Sequence, residues 1–265
     1  MPDASSVTIP TLSPEQREAF YSTGFIMVPQ VFSAAEMDRI DAGFTTANNI
    51  ALNLREGLTD KRASVPYQGA RFTLEDNGHE HVVRHIAWVG ALDAELDRLG
   101  SDPRLVGMAA QLLGCDEVQQ LIHQAHYKDP GGNVAFDWHQ DAEHRGMGRG
   151  GFKDLNGHGS YVQIALAVDD VTADNGPVRM IPGSPSIGYK PHNDRAIDSK
   201  WVDESQAVTP LAKRGDCLLF GPYTIHGSNP NRSDRSRRVF INGFAQPGAW
   251  QGEPQPGGIG RLLRV

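Results

Sequence analysis

Three residues of metal-binding type stand out in this 265-residue sequence: His139 and Asp141, separated only by Gln140, and His226, 87 residues further on. In an extended segment, residues i and i+2 point to the same face, so His139 and Asp141 can reach one ion while Gln140 points away. Two neutral imidazoles and one carboxylate bind Fe(II) on one face and leave positions open for a cosubstrate and O₂. The set predicts a catalytic, non-haem Fe(II) site.

An arginine, Arg237, lies 11 residues after His226. Its planar guanidinium matches a carboxylate with two parallel hydrogen bonds and stays charged at any working pH. Surface charge is the alternative, because other arginines lie close by in the sequence. If residues 237–245 form one strand, Arg237 and Arg238 point to opposite faces. The spacing from His226 favours Arg237 as the group that holds an anionic cosubstrate.

The first part of the chain is predicted to be mainly helical. Capping boxes at residues 13–16 and 33–36 each begin a helix, and a third helix is predicted over residues 102–114. Residues 25–29 form a short predicted strand. Residues 51–80 are polar and irregular, and their pattern predicts neither a helix nor a strand.

After Gly114, short β-rich runs alternate with clusters of turn-forming residues, which is typical of a barrel or sandwich. Strands are predicted over residues 118–128, 161–168, 178–181, 217–220 and 239–245. Because the helices lie mostly before the strands, the pattern favours an α+β fold over an α/β fold. A barrel would bring His226, just after strand 217–220, opposite the His139–Asp141 pair.

Composition narrows the class of partner. The formal net charge of −7 disfavours nucleic acid or an anionic membrane surface. No apolar run approaches the ~20 residues that span a bilayer, and the first residues do not resemble a secretory signal. Two cysteines, Cys115 and Cys217, favour a reduced, cytoplasmic compartment.

We expect a single domain over residues 1–265. Residues 1–12 are predicted to be a flexible arm, and residues 248–265 are predicted to be a tail that is either disordered or a strap over the barrel.

Five ordered segments resemble the phytanoyl-CoA dioxygenase family, which includes ectoine hydroxylase and many small-molecule hydroxylases. One segment departs from the family pattern, because Pro185 stands where a histidine is usual. The matching segments are Phe20–Pro29; His126-Tyr127-Lys128 with Trp138-His139-Gln140-Asp141; Asp169–Pro177; Ile181–Ser184; and Gly215-Asp216 with His226-Gly227-Ser228, Asn231 and Arg237.

The resemblance implies a double-stranded β-helix, a mainly β jelly-roll barrel of cupin type with flanking helices, and 2-oxoglutarate as cosubstrate. It also implies that His139, Asp141 and His226 are the iron ligands. Arg237 would pair with the distal carboxylate of 2-oxoglutarate, and Ser228 would donate a hydrogen bond to it.

Further residues are candidates for the cosubstrate pocket. Gln124 and His126 share one face of strand 118–128 and are predicted to line it, although a hydrogen-bonded barrel position is an equal alternative for His126. Arg84 is a candidate contact to the cosubstrate or the substrate. The segment 142–160 contains six glycines and directly follows Asp141, so it is either a lid or a solvated loop. Arg145 in this segment is a candidate contact to the substrate, and a solvated surface position is the alternative.

The expected reaction is hydroxylation of an unactivated carbon of a small-molecule metabolite, with release of succinate and CO₂. Related halogenases lack the carboxylate ligand, so Asp141 predicts hydroxylation, desaturation or ring closure. A CoA thioester is suggested by the family name alone, and a small free metabolite is favoured. Two alternatives stay open: a cupin-like metal-dependent isomerase or hydrolase that does not use 2-oxoglutarate, and a non-catalytic binding barrel.

Overall fold

The computed structural model describes residues 8–147, 149–194, 196–255 and 258–265. The helices are α1 (Pro14–Thr23), α2 (Ala34–Leu54), α3 (Ala94–Gly100), α4 (Pro103–Leu113) and α5 (Asp141–His144). The strands are β1 (Phe25–Val28), β2 (Arg62–Tyr67), β3 (Ala70–Asp76), β4 (His81–Ala87), β5 (Glu117–Lys128), β6 (Phe136–His139), β7 (Tyr161–Ala167), β8 (Val178–Met180), β9 (His192–Asn193), β10 (Ala196–Ile197), β11 (Cys217–Phe220), β12 (His226–Ser228), β13 (Arg237–Ala245) and β14 (Arg261–Arg264).

Two antiparallel sheets enclose the functional cavity. The larger runs in the order β1-β11-β7-β13-β5-β4-β3-β2, with β14 also paired to β5, and the smaller runs β6-β12-β8. Residues from both sheets line one cavity. The two sheets therefore form the walls between which distant parts of the chain meet.

Local sequence signals set the helix ends. The Ser13 hydroxyl accepts a hydrogen bond from the Gln16 backbone N–H, and the Gln16 side-chain oxygen accepts one from the Ser13 backbone N–H. The same reciprocal cap begins α2. Gly24 ends α1 with φ 99°, a left-handed conformation that favours glycine. These helices begin where the sequence predicts, and α2 continues to Leu54, into the segment 51–80 for which the sequence pattern predicts no element.

The helical layer packs on the face of the large sheet that is turned away from the cavity. Phe44 of α2 is fully buried and its ring lies 5.5 Å from that of Tyr127 on β5. The Tyr127 hydroxyl donates to the Phe44 carbonyl at 2.9 Å. Successive side chains of a strand point to opposite faces. Consequently, Tyr127 faces the helices while its neighbours His126 and Lys128 point to the other side.

The segment that the sequence analysis leaves unassigned, residues 51–80, contains the end of α2 and the strands β2 and β3. With β4, these strands form a meander that extends the large sheet beside β5. Phe72 and Leu74 of β3 enter the core, whereas Thr73 and Glu75 line the cavity. The residues that face the cavity are polar although they are enclosed. For this reason the sequence pattern does not identify these segments as strands.

Both chain ends pack against the body of the molecule where they are described. Residues 1–7 of the predicted flexible arm lie outside the described residues. Residues 8–12 do not extend freely: Leu12 is buried, and the Gln111 side chain of α4 bonds the backbone of Pro10 and Leu12. In the tail, β14 pairs with β5, which fits a strap rather than a disordered end. Within the described ranges, no helix is long and apolar enough to cross a membrane.

Candidate active site

The predicted metal ligands converge on one point. Strands β6 and β12 pair so that His139 stands directly opposite His226, and Asp141 follows at the first residue of α5. One ligand atom from each of the three side chains lies within 4.8 Å of the others. His139 Nε2 is 3.9 Å from Asp141 Oδ1, and their side chains are only 11% and 5% exposed. This spacing suits a single ion.

Backbone carbonyls orient both imidazoles. Nδ1 of His139 lies 2.7 Å from the Asp137 carbonyl, and Nδ1 of His226 lies 2.9 Å from the Thr224 carbonyl. Because a carbonyl oxygen only accepts, each Nδ1 carries the proton. In the neutral form of each ring the lone pair is therefore on Nε2, the atom a metal would bind.

The protonation states also fit a divalent cation. Burial, together with the neighbouring His226, lowers the pKa of His139 to about 3, so this ring is neutral at physiological pH. Burial alone would raise the pKa of Asp141, but nearby His226 and Arg145 outweigh it and lower that pKa. Asp141 Oδ2 is buried and has no hydrogen-bond partner. An ionised carboxylate with an unsatisfied buried oxygen is the donor that Fe(II) would complete.

The three residues open into a cavity of about 760 Å³. Arg237, on β13, lies at one end of this cavity and is 5% exposed. Its guanidinium donates to the Gly176 carbonyl, while its Nε is buried without a partner among the described residues. Burial lowers the pKa of Arg237 to about 10, which still leaves it charged at neutral pH. Among the described residues this buried guanidinium forms no ion pair, so an anion bound in the cavity would be stabilised here.

A second buried basic residue, Lys128, stands opposite Arg237 in the register of β5 and β13. Its Nζ donates to the Ser228 hydroxyl oxygen at 2.7 Å and to the Asn229 carbonyl. Since the Ser228 oxygen already accepts from Lys128, its own proton is left to donate to another group. Lys128 and Ser228 thus add hydrogen-bonding capacity to the end of the cavity at Arg237.

A β-bulge brings Arg84 to the same region. Thr73 pairs with His85 and Leu74 with Val83, so Arg84 is an extra residue in β4. Both Arg84 and His85 therefore line the cavity. The Arg84 guanidinium lies 3.9 Å from the Phe136 ring centroid and bonds Glu75 at 2.6 Å.

Two stacked histidines complete this wall. His85 and His126 are register partners whose ring centroids lie 5.3 Å apart. Nε2 of His126 lies 2.9 Å from Gln124 Oε1. Burial lowers the pKa of His85 to about 4 and that of His126 well below its ordinary value, with nearby cations adding to both effects. Both rings are therefore neutral beside the guanidinium groups of Arg84 and Arg237.

The structure brings together every residue that the sequence analysis proposes for the site. One cavity is lined by His139, Asp141, His226, Arg237, Ser228, His126, Gln124 and Arg84. Sequence reasoning did not single out Lys128 or His85 as site residues. Lys128 has a usable signal, because it shares a strand face with His126, whereas His85 has none in the sequence.

The glycine-rich segment 142–160 divides into parts that reach the cavity and parts that do not. His144 and Arg145 line the cavity. Arg149 is mostly exposed and pairs with Glu143, while the His158 ring lies 4.4 Å from that of Tyr21, outside the cavity. Only the first residues of the described segment are therefore placed to meet a substrate.

Comparison with known proteins decides the family. The model of the family "Phytanoyl-CoA dioxygenase (PhyH)" matches residues 20–239, most of the chain. The chain belongs to the phytanoyl-CoA dioxygenase family. It is therefore a non-haem oxygenase of the Fe(II)- and 2-oxoglutarate-dependent type, and its cofactor set is Fe(II), 2-oxoglutarate and O₂.

Named members of the phytanoyl-CoA dioxygenase family resemble the chain at modest identity. An ectoine dioxygenase of Halomonas elongata is 27% identical over 87% of this chain and 69% of its own length. An L-proline trans-4-hydroxylase of Streptomyces griseoviridis is 30% identical over 54% of this chain, and the match spans 60% of that relative.

Solved structures confirm the predicted jelly-roll fold with flanking helices. EctD from S. alaskensis in its apoform superposes with a TM-score of 0.66 at 25% identity, covering 94% of this chain and 82% of its own. The non-heme alpha ketoglutarate dependent carbocyclase SnoK from nogalamycin biosynthesis superposes with a TM-score of 0.68 over 95% of this chain and 96% of its own. At 19% identity, the second likeness concerns the fold alone.

Lys128 is expected to make the stability of the ligand-free protein depend on pH. Burial, with Arg237 and Arg84 nearby, lowers its pKa from 10.5 to about 6. Between these values the unfolded chain binds a proton that the folded chain lacks, so the free energy of unfolding rises with pH. Lys128→Met should flatten this rise in urea unfolding measured at about pH 7 and about pH 9.

Lys213→Met is the matched control, because Lys213 is largely exposed and pairs with Asp170 at the surface. This variant should keep the pH dependence of the wild type. Equal slopes in the wild type and Lys128→Met would mean that Lys128 is charged in the folded protein at neutral pH.

Proposed function

We propose that the protein hydroxylates an unactivated carbon of a small-molecule metabolite, using Fe(II), 2-oxoglutarate and O₂ and releasing succinate and CO₂. One observation supports this most directly. A buried set of two imidazoles and a carboxylate shares a single cavity with a buried guanidinium whose Nε has no partner among the described residues. The first group suits the metal, and the second suits a carboxylate of the cosubstrate.

His139 and His226 would hold Fe(II) through Nε2, and Asp141 through its carboxylate. Bound Fe(II) supplies the redox chemistry that couples O₂ and 2-oxoglutarate to oxidation of the substrate. The protein's part is to hold these groups in place. Phe220, whose ring centroid is 4.7 Å from that of His226, packs beside the ligand and excludes water from that side.

Arg237 would bind the distal carboxylate of 2-oxoglutarate through its fork of N–H donors, and Ser228 would donate its hydroxyl proton to the same group. Arg84 adds positive charge beside this carboxylate, and Lys128 adds hydrogen-bond donors. His126 and Gln124, hydrogen-bonded to each other, would form the side wall of the cosubstrate pocket. The carboxylate of Glu75 on this wall is paired with Arg62 and Arg84.

Asp141 bears on the outcome of the reaction. Its carboxylate would occupy the position that a halide needs on the metal, so hydroxylation is expected and halogenation is not. Desaturation and ring closure differ from hydroxylation in how the substrate is placed, which the cavity alone does not decide. Residues 1–265 are proposed to act as one domain, in the cytoplasm, with Cys115 and Cys217 as free thiols.

An isomerase or hydrolase on the same barrel is the second candidate for the reaction. Such an enzyme would use the metal ligands but would have no use for Arg237. The buried and unpaired Nε of Arg237 disfavours this candidate, because a buried cation without a partner destabilises a fold unless a ligand compensates it.

The test is to mix the protein with Fe(II) and 2-oxoglutarate without oxygen and record the visible spectrum. We expect the weak charge-transfer band of an Fe(II)–2-oxoglutarate complex, followed by formation of succinate when O₂ is admitted. Bound iron without this band would contradict the dioxygenase proposal and favour the isomerase or hydrolase.

A further inference from the structure

A second unpaired arginine reaches the cavity from the segment that follows the metal ligands. Arg145 is the C-cap residue of helix α5, whose first residue is Asp141. The Arg145 side chain lines the cavity. Its guanidinium lies 5.4 Å from the centroid of the Tyr161 ring. Its Nε is buried without a hydrogen-bond partner, and it forms no ion pair with the described residues. A guanidinium with unused donors inside a cavity suits an oxyanion.

The neighbouring Arg149 differs from Arg145, because its guanidinium has partners within the protein. Arg149 lies four residues further along the same segment, and its side chain is 65% exposed. It pairs with Glu143 through both the carboxylate and the backbone carbonyl. Arg149 therefore has partners within the protein and needs no ligand, whereas Arg145 faces the cavity without one.

Arg145 lies far from the cosubstrate anchor. The Tyr161 ring beneath it extends to Gly243 of β13, where the tyrosine hydroxyl fills the space that a side chain would take. Arg237 begins the same strand. Six residues separate Arg237 from Gly243, and at ~3.4 Å per residue this is roughly 20 Å. The two arginines therefore extend from well-separated parts of the cavity wall, so each can serve a different molecule.

The surroundings of Arg145 fit a substrate that has an anionic group on a compact body. The Tyr161 hydroxyl donates to Gln163 Oε1, so the Gln163 amide N–H groups stay available to a ligand. Ile122 and Ile241 supply apolar wall nearby, on neighbouring positions of β5 and β13. This end of the cavity therefore offers one cation, one amide donor and apolar surface.

We propose that Arg145 binds an oxyanion of the substrate, so that the enzyme acts on small molecules bearing a carboxylate or a phosphonate. The proposal rests on the proposed dioxygenase function. It assigns the two ends of the cavity to two anions: 2-oxoglutarate at Arg237 and the substrate at Arg145, with the metal ligands between them. The overall acidic charge of the chain does not oppose this, because the pocket itself is locally basic.

The test uses the anaerobic Fe(II)–2-oxoglutarate band as a readout of binding near the metal. The probes are matched pairs that differ in charge: L-proline with L-prolinamide, and methylphosphonate with dimethyl methylphosphonate, extended by a panel of short carboxylic acids and their amides. The acid of a pair is expected to perturb the band and its neutral partner is not. A response to carboxylates alone or to phosphonates alone identifies which oxyanion is used.

Arg145→Gln should weaken the apparent Kd of the responsive acid by about 30-fold or more, as expected for loss of one partner of a buried charge pair. Arg149→Gln is the matched control and should bind the acid like the wild type. Both variants should form the 2-oxoglutarate band with unchanged affinity, which shows that they fold and keep the cosubstrate site.

Three results would overturn the proposal: an amide that binds as well as its acid, an Arg145→Gln variant with unchanged affinity, or no response to any acid in the panel. Failure of the wild type to form the band before any acid is added overturns the dioxygenase function instead, and the Arg145 assignment falls with it.

Discussion

His139→Ala is expected to abolish stoichiometric Fe(II) binding and to reduce 2-oxoglutarate turnover by more than about 100-fold. Loss of residues that merely orient metal ligands already costs about 10–100-fold. Loss of a ligand also leaves Asp141, with its buried and unpaired Oδ2, beside a hole in the cavity wall. Iron bound per chain, measured after anaerobic desalting, together with succinate formed per minute, checks this result.

His79→Ala is the control for this prediction, because His79 is an exposed histidine in the turn between β3 and β4. It should bind iron and turn over like the wild type. Asp141→Ala and His226→Ala should each match His139→Ala. A His139→Ala protein that keeps one tightly bound iron per chain and its activity would show that the metal lies elsewhere.

Arg237→Ala is expected to raise the KM for 2-oxoglutarate by about 100-fold or more. Removing one partner of a buried, hydrogen-bonded charge pair costs about 2–5 kcal/mol, and each 1.4 kcal/mol is about tenfold in affinity. Arg84, together with Lys128 once it takes up a proton with the dianion, should retain some affinity for the dianion. At saturating 2-oxoglutarate, kcat should fall far less than kcat/KM, since Arg237 holds the part of the cosubstrate that does not react.

Arg237→Lys should lie between the wild type and Arg237→Ala, because lysine keeps the charge but cannot form two parallel bonds. Arg235→Ala is the matched control: Arg235 is two residues away, 91% exposed and paired with exposed Asp234. A KM for 2-oxoglutarate that is unchanged in Arg237→Ala would assign the cosubstrate to other cations.

The part of the site that the sequence predicts best is the part fixed by short spacings. His139 and Asp141 are two residues apart, so the backbone places them on one side whatever the rest of the fold does. Arg237 and Arg238 were separated in the same way, and the structure agrees: Arg237 enters the cavity, while Arg238 pairs with Asp169 and Asp41 away from it. That these residues bind iron and 2-oxoglutarate stays a prediction.

The part that the sequence hides is the polar wall formed by β2, β3 and β4. Residues such as Thr73 and Glu75 look like exposed strand positions, although they face an enclosed cavity. In β4, the bulge at Arg84 breaks the two-residue period, so no alternation identifies the strand. Lys128 shares a strand face with His126, but the sequence alone does not favour it as a site residue, because lysines are almost never fully buried. Only the three-dimensional pairing with Arg237 and Ser228 shows why this one is.

The hydrogen bonds that orient the two imidazoles have a consequence for how this enzyme can change over evolutionary time. Each ring is held by the carbonyl of the residue two positions before it, so its tautomer depends on the local backbone and on no other side chain. Side chains elsewhere on the cavity wall, such as Gln163 and Ile241, can then be exchanged without disturbing the orientation of the two imidazoles. Substitutions that change substrate preference can therefore leave the orientation of the metal-binding histidines intact. New substrate specificities can arise on this barrel without loss of the metal site.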